Sequence, residues 1–248
     1  RYASRGLGDV YKRQFIDRVD PNDNNNFFKM WSSLTASLTF AFTHSHWFNA
    51  VETEVYAFSG FMTALVVFLI MRWSQKIHDS NHIIYLIFIS YIIGLATGLH
   101  LLNLLTIPFI GLIIYFSIGK LSTKNLILTF IFSLIIFFGI QSVIIKGLPQ
   151  LTASFGLVGL CFLIILWVIM TIYSIKSNKA FLSIFLSSVL LIVIGYSTYF
   201  AIFIRSGQNP NIDENNPETI SEAISYLNRD QYGQMTILPR KFDNLPSK

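Results

Sequence analysis

The sequence predicts an all-α, polytopic membrane helix bundle, and three observations predict it. Hydrophobic residues fill 53% of the 248 positions and charged residues only 12%, about half the charged share of a soluble domain. The chain holds 13 acids, yet only Asp79 lies between Glu54 and Asp213, so the middle consists of long apolar runs with short polar punctuation. These runs are continuous, as membrane helices are. A membrane barrel strand would alternate, and an open sheet edge finds no hydrogen-bond partner in hydrocarbon.

From the start of the chain, Asp9-Val10-Tyr11-Lys12-Arg13-Gln14 resembles one translation frame of the transposon mosaic-end adapter used in sequencing libraries. Residues 1–14 therefore read as an adapter artefact, and the remainder as a fragment truncated at its N-terminus. Residues 15–26, with Asp17, Asp20, Asp23 and Asn24-Asn25-Asn26, read as a solvated polar loop.

Apolar runs follow at Phe27 to Phe42, Val55 to Trp73, His82 to Leu99, Leu104 to Ile118, Leu126 to Ile145, Leu151 to Ile175 and Ala180 to Ile204. A span needs roughly 20 apolar residues, so residues 27–204 are expected to form about seven spans. Leu104 to Ile118 is short and begins beside Pro108, which predicts a tilted, kinked or re-entrant helix. Gly94 and Gly98, four apart, form a small-residue face that admits a second helix. Residues 205–248 turn polar, with a helix-like stretch over Glu218 to Tyr226, and read as an outer-facing tail that begins a further soluble region.

Orientation follows from the short loops. Arg72, Lys76, Lys120, Lys124, Lys176 and Lys179 fall in one alternate set, against Lys146 alone in the other, which predicts that the first set is cytoplasmic. The segment around Glu52 and Glu54, His100 and the tail then face the opposite side. The net charge of +5 is explained by membrane orientation and calls for no nucleic-acid partner. Cys161 is the sole cysteine, so no intrachain disulfide forms and cysteine usage says nothing of the redox compartment.

Residues able to carry chemistry gather in the predicted outer segments. Phe42 to Tyr56 holds His44, His46, Trp47, Glu52, Glu54 and Tyr56. If residues 49–56 begin the next helix, Glu52 and Tyr56 share a face while Glu52 and Glu54 diverge. The alternative is that both acids are solvated residues at a helix N-terminus, with Trp47 and Tyr56 as interfacial anchors. His44 and His46 lack defined third and fourth ligands, so no metal is expected. His100 and Asn103, three apart, are placed to point into one polar pocket, or else His100 bonds to a neighbouring helix. Arg205 ends the last span, where a guanidinium holds a phosphate or reaches to headgroups. Glu52, His100 and Arg205 are expected to converge on one outward-facing cavity. Arg72 and Trp73 read as an interface anchor on the other side. No HExxH, P-loop or GxSxG pattern occurs, which weakens metalloprotease, P-loop NTPase and serine-hydrolase readings.

Three motifs in order, Trp47 to Ala57, Gly98-Leu99-His100-Leu101-Leu102-Asn103, and Asn215-Asn216-Pro217 with Ser225 to Gly233, resemble a bacterial membrane family long catalogued as a domain of unknown function. Its animal branch contains an endoplasmic-reticulum protein O-mannosyltransferase. The resemblance implies a GT-C type glycosyltransferase that moves a sugar, mannose favoured, from a polyprenyl-phosphate donor to a protein or glycan acceptor on the periplasmic or lumenal face. A bacterial inner membrane with sites toward the periplasm is the implied location, and no cofactor is implied. Glu52, Glu54, Tyr56, His100, Asn103 and Arg205 would bind substrate. The family's acidic tryptophan-containing motif has no counterpart in residues 15–32, so the principal catalytic acid is expected to be missing and the fragment inactive. The rival class is a lipid-linked glycan transporter or flippase, whose mark would be mid-span charges and an internal repeat.

Overall fold

The computed structural model describes residues 26–52, 55–118, 122–213, 215–228, 230 and 233, and among these the secondary structure is helical with no strand. In chain order the helices are α1 Asn26–Ala41, α2 His44–Val51, α3 Tyr56–Gln75, α4 His82–Leu99, α5 Thr106–Ile118, α6 Thr123–Gly139, α7 Gly147–Lys176, α8 Ala180–Tyr196, α9 Ala201–Ser206 and α10 Ile220–Asn228. Short 3₁₀ turns, Leu101–Leu105 and Ser197–Phe200, lead into α5 and α9, and a π-helical segment, Ile140–Lys146, joins α6 to α7.

Five helical stretches are long and apolar enough to cross a membrane: Tyr56–Gln75, His82–Leu99, Leu101–Ile118, Thr123–Lys176 and Ala180–Ser206. Seven runs were expected, and two differences account for the gap. α1 has 16 residues, about 24 Å at a helical rise, short of a core about 30 Å thick. The runs expected at Leu126 to Ile145 and Leu151 to Ile175 fuse into one stretch of 54 residues.

That stretch nevertheless runs along the bundle and back. Gly94 of α4 lies against Ile192 of α8, and Gly98 lies against Thr198 and Tyr199 just beyond it, so the two helices run parallel. α5 leaves the end at which α4 finishes and α8 must begin at the opposite end. The stretch begins five residues after α5 ends and finishes four residues before α8 begins, so it starts and finishes on one side. At about 1.5 Å per residue 54 residues also reach about 80 Å, well over twice the hydrocarbon thickness. Gly156 makes the reversal, with φ 67° and ψ 178°, a conformation open essentially to glycine. The turn expected near Gly147 is instead helical. Pro149 follows the π segment by three residues, and the wider turns there relieve the clash between its ring and the carbonyl four residues back.

Pro108 does not kink its helix. It is the third residue of α5, in the first turn, where the missing N–H has no intrahelical partner to lose.

α4 is the central helix, packed against α3 on one side and α8 on the other. Val66, Ile70 and Trp73 of α3 meet Ile89, Ile92 and Ile93 of α4, with Ile144, Ile145, Ile192 and Tyr196 completing the core. Lipid is as apolar as these side chains, so close van der Waals packing holds the helices together. Glycine at 94 and 195 makes that packing possible: a Cβ on Gly94 would collide with the Ile192 backbone, and one on Gly195 with the backbone of Tyr91 and Leu95. α7 keeps much apolar surface exposed, with Val158 84% exposed.

Candidate functional site

The segment expected to be an outer loop contains helix α2, bounded by Thr43 and Glu52, both extended. Its rings pair locally: His46 lies 4.6 Å from Phe40, Trp47 stacks on Phe42 at 5.8 Å, and His44 stacks on Phe48 at 6.1 Å. The two imidazoles thus rest against different phenylalanines. Among the described residues no three His, Cys, Asp or Glu gather in a metal-binding arrangement.

Glu52 ends α2 with φ −72° and ψ 148°, while α3 starts at Tyr56. The two residues therefore do not belong to one helix, and the shared helical face does not form. Glu52 is exposed; Glu54 lies outside the described residues. Tyr56 packs its ring against His100, centroid to centroid 5.5 Å. α3 and α4 run antiparallel, which brings the first residue of one beside the residue that follows the other.

His100 has left the helix, with φ −155° and ψ 127°. Its Nδ1 accepts the Leu102 backbone N–H at 3.3 Å, so the neutral ring carries its proton on Nε2. Nε2 has no hydrogen-bond partner among the described residues. His100 is half-buried and Tyr56 exposed, giving a rim where one imidazole N–H and one phenol meet.

Asn103 does not share a pocket with His100. It is 2% exposed and wedged between helices. Its Nδ2 donates to Ser59 Oγ at 3.0 Å, to the Ala96 carbonyl at 2.9 Å and to the His100 carbonyl at 2.9 Å, and its Oδ1 accepts from Thr63 Oγ1 at 2.7 Å. The amide is fully used inside the protein, and it ties α3, α4 and the His100 backbone together. Spacing alone could not reveal this, because Ser59 and Thr63 are 44 and 40 positions away.

Arg205 is exposed on α9, its Nη1 donating to Gln208 Oε1 at 3.3 Å. Gly98 meets Tyr199, so α9 springs from the end of the bundle that carries Tyr56 and His100. All three side chains lie at one end; Tyr56 and His100 touch, and Arg205 bonds within its own segment.

The tail folds back onto this end. Ser206 Oγ donates to Asp213 Oδ2 at 2.7 Å, and the Asn216 amide nitrogen reaches Asp213 Oδ2 at 2.8 Å and Glu218 Oε1 at 3.2 Å. Asn215 and Asn216 take positive φ, 63° and 41°, which asparagine tolerates better than most residues. They turn the chain into a fully buried Pro217. α10 then packs on α7 and the π segment, with Tyr226 against Tyr199. Its start is a capping box: Thr219 Oγ1 accepts the Glu222 N–H at 3.3 Å, and Glu222 Oε2 accepts from the Thr219 backbone N–H and hydroxyl, both at 2.8 Å. Those bonds hold the Glu222 carboxyl below its usual range. The third motif therefore docks the tail on the bundle.

One end of the bundle thus carries an imidazole N–H, a phenol and an exposed guanidinium. Residues 8–124 match the model of the protein O-mannosyl-transferase TMEM260 N-terminal domain. The match takes in residues 8–14 of the segment read as adapter, and both the Trp47 to Ala57 and Gly98 to Asn103 motifs; Arg205 and the Asn215 to Gly233 motif lie beyond it. No curated protein and no solved structure matches the chain. Over residues 8–124 the chain is similar to the family described as the protein O-mannosyl-transferase TMEM260 N-terminal domain.

Proposed function

We propose that this protein is a membrane glycosyltransferase that moves a sugar, mannose favoured, from a polyprenyl-phosphate donor to a protein hydroxyl on the periplasmic or lumenal face. The match of residues 8–124 to the protein O-mannosyl-transferase TMEM260 N-terminal domain carries this reading. The helix bundle supports it, because a lipid-borne donor requires an enzyme within the bilayer. A bacterial inner membrane, with the site toward the periplasm, is the proposed location.

In this reading a carboxylate general base takes the proton of the acceptor hydroxyl while its oxygen displaces the lipid phosphate at the anomeric carbon with inversion. Arg205 stabilises the phosphate as it leaves, so that no acid need protonate it. Tyr56 and the Nε2–H of His100 hold sugar or acceptor hydroxyls, and Glu52 and Glu54 are the carboxylates proposed to bind substrate with them. Asn103 acts through His100, as a positioning residue.

The test is transfer. The protein, with whatever its gene encodes upstream of residue 15, is reconstituted in nanodiscs with polyprenyl-phosphate mannose and a Ser/Thr-rich acceptor. Mannosylated acceptor, abolished by Arg205→Ala, is the expected result. Movement of the lipid-linked sugar across a vesicle bilayer without any transfer would replace the transferase with a flippase.

A further inference from the structure

At the far end of α3 and α4, about 30 Å from His100 along a 20-residue helix, an open cavity of about 500 Å3 lies on the loop that joins the two helices and the first turn of α4. Lys76, Asp79, Ser80, Asn81, His82 and Tyr85 line it. None of them belongs to the site above, and nothing in the proposed transfer uses them. We propose that this cavity is a binding site for a phosphate group, in which Lys76 and His82 hold the phosphate oxygens.

One lining residue, His82, is tied to the core. Trp73 is 1% exposed, and its Nε1–H donates to His82 Nδ1 at 3.2 Å. This fixes the imidazole and, in the neutral ring, puts the proton on Nε2. Lys76 is steered from two sides, its Nζ 5.9 Å above the Tyr85 ring and 3.9 Å from Asp79 Oδ2. The walls thus offer an ammonium, an imidazole N–H, the Ser80 hydroxyl and the Asn81 amide, a donor-rich set that matches an oxyanion. Asp79 is the only anion in the lining. Its pairing with Lys76 is long and on the rim, with side chains 40% and 60% exposed, so releasing the lysine costs little. The cavity also sits where two candidate membrane-spanning helices meet their connecting loop, and basic side chains just beyond helix ends attract anionic lipid headgroups. The same chemistry accepts a free phosphate.

Two arms separate these sources. Protein in phosphatidylcholine nanodiscs doped with either phosphatidic acid or diacylglycerol is assayed by native mass spectrometry for retained dopant, and protein in detergent is titrated with inorganic phosphate by ³¹P NMR. Wild type is expected to retain phosphatidic acid over diacylglycerol. Lys76→Gln should weaken this about tenfold, the effect of losing one charge-assisted bond, and Asp79→Asn should strengthen it. If inorganic phosphate alone binds with the same order of variants, the site stands and its ligand is soluble. The gain in Asp79→Asn cannot arise from misfolding. Absence of phosphate preference in both arms, or variants that leave binding unchanged, would overturn the proposal. Sugar transfer at the other end is unaffected by either result.

Discussion

The Asn103 side-chain amide donates to the Ser59 hydroxyl at 3.0 Å across 44 positions of sequence, joining the first turn of α3 to the loop that follows α4. Together with its bonds to Thr63, Ala96 and His100, this contact sets where His100 stands relative to Tyr56. Replacing Asn103 with Leu leaves the Ser59 and Thr63 hydroxyls unpaired at membrane depth. The expected loss is about 1–3 kcal/mol, read as a lower melting temperature in detergent. Tyr56→Ala, which removes an exposed ring, should leave the melting temperature almost unchanged. Equal losses in both variants would contradict the keystone role of Asn103.

Glycines of the bundle differ in what surrounds them. A methyl on Gly94 would run into the Ile192 backbone, whereas one on Gly98 would approach the Thr198 hydroxyl at 3.2 Å and one on Gly139 would meet nothing within 4 Å. Gly94→Ala is expected to cost about 1–3 kcal/mol through overpacking, Gly98→Ala less, and Gly139→Ala nothing, with a gain of up to about 1 kcal/mol from helix propensity. Thermal unfolding of the three proteins gives the order directly, and a Gly94→Ala variant as stable as wild type would contradict the close contact.

Much of the bundle was legible because apolar runs bounded by polar residues carry a local signal. The run His82 to Leu99 is α4 to the residue, and Val55 to Trp73 is α3 within two residues at either end. The small-residue face of Gly94 was readable from its spacing to Gly98. Its partner Gly195, about a hundred positions on, was not. Helix α2 escaped notice because eight residues rich in His, Ser and Asn give no apolar periodicity. Asn103 was assigned to a pocket from a helical i,i+3 rule, and that rule lapsed when the chain left the helix at Leu99. Contacts between distant segments decide such details, and no single stretch of sequence records them.

The capping box of α10 makes docking of the tail sensitive to acid. The Glu222 carboxyl accepts two bonds from Thr219 and is shifted downward. A group with a depressed folded pKa contributes stability above its unfolded value, here the ordinary 4.5, and that contribution fades as pH falls through the folded value. Amide exchange over residues 220–228, measured from pH 6 downward and corrected for intrinsic rates, should show protection lost below about pH 4.5. In Glu222→Gln the loss should vanish, because glutamine keeps the cap without titrating. An identical acid profile in both proteins would assign the transition to another group.

The charge asymmetry of the loops makes a prediction that the helix directions sharpen. The antiparallel pair α3 and α4 puts Tyr56 and His100 at one end, with Trp73 and His82 at the other. The parallel pair α4 and α8 adds Thr198, Tyr199 and the tail to the His100 end. Arg72, Lys76, Lys176 and Lys179 then share the opposite end, where the excess of positive charge predicts cytoplasm. With Cys161 replaced by Ser, single cysteines at His46, Lys146 and Asn215 should react with a membrane-impermeant maleimide applied to sealed, right-side-out vesicles. Cysteines at Lys76, Lys120 and Lys179 should react only after lysis. Lys146→Cys is the critical position, because its labelling with the outer set requires the 54-residue stretch to cross twice. Were Lys146→Cys protected alongside Lys76→Cys while Asn215→Cys is labelled, the reversal assigned to Gly156 would be wrong. Labelling of Lys76→Cys without Asn215→Cys would instead invert the protein in the membrane and leave the candidate site facing the cytoplasm, where a transferase of the proposed kind does not work.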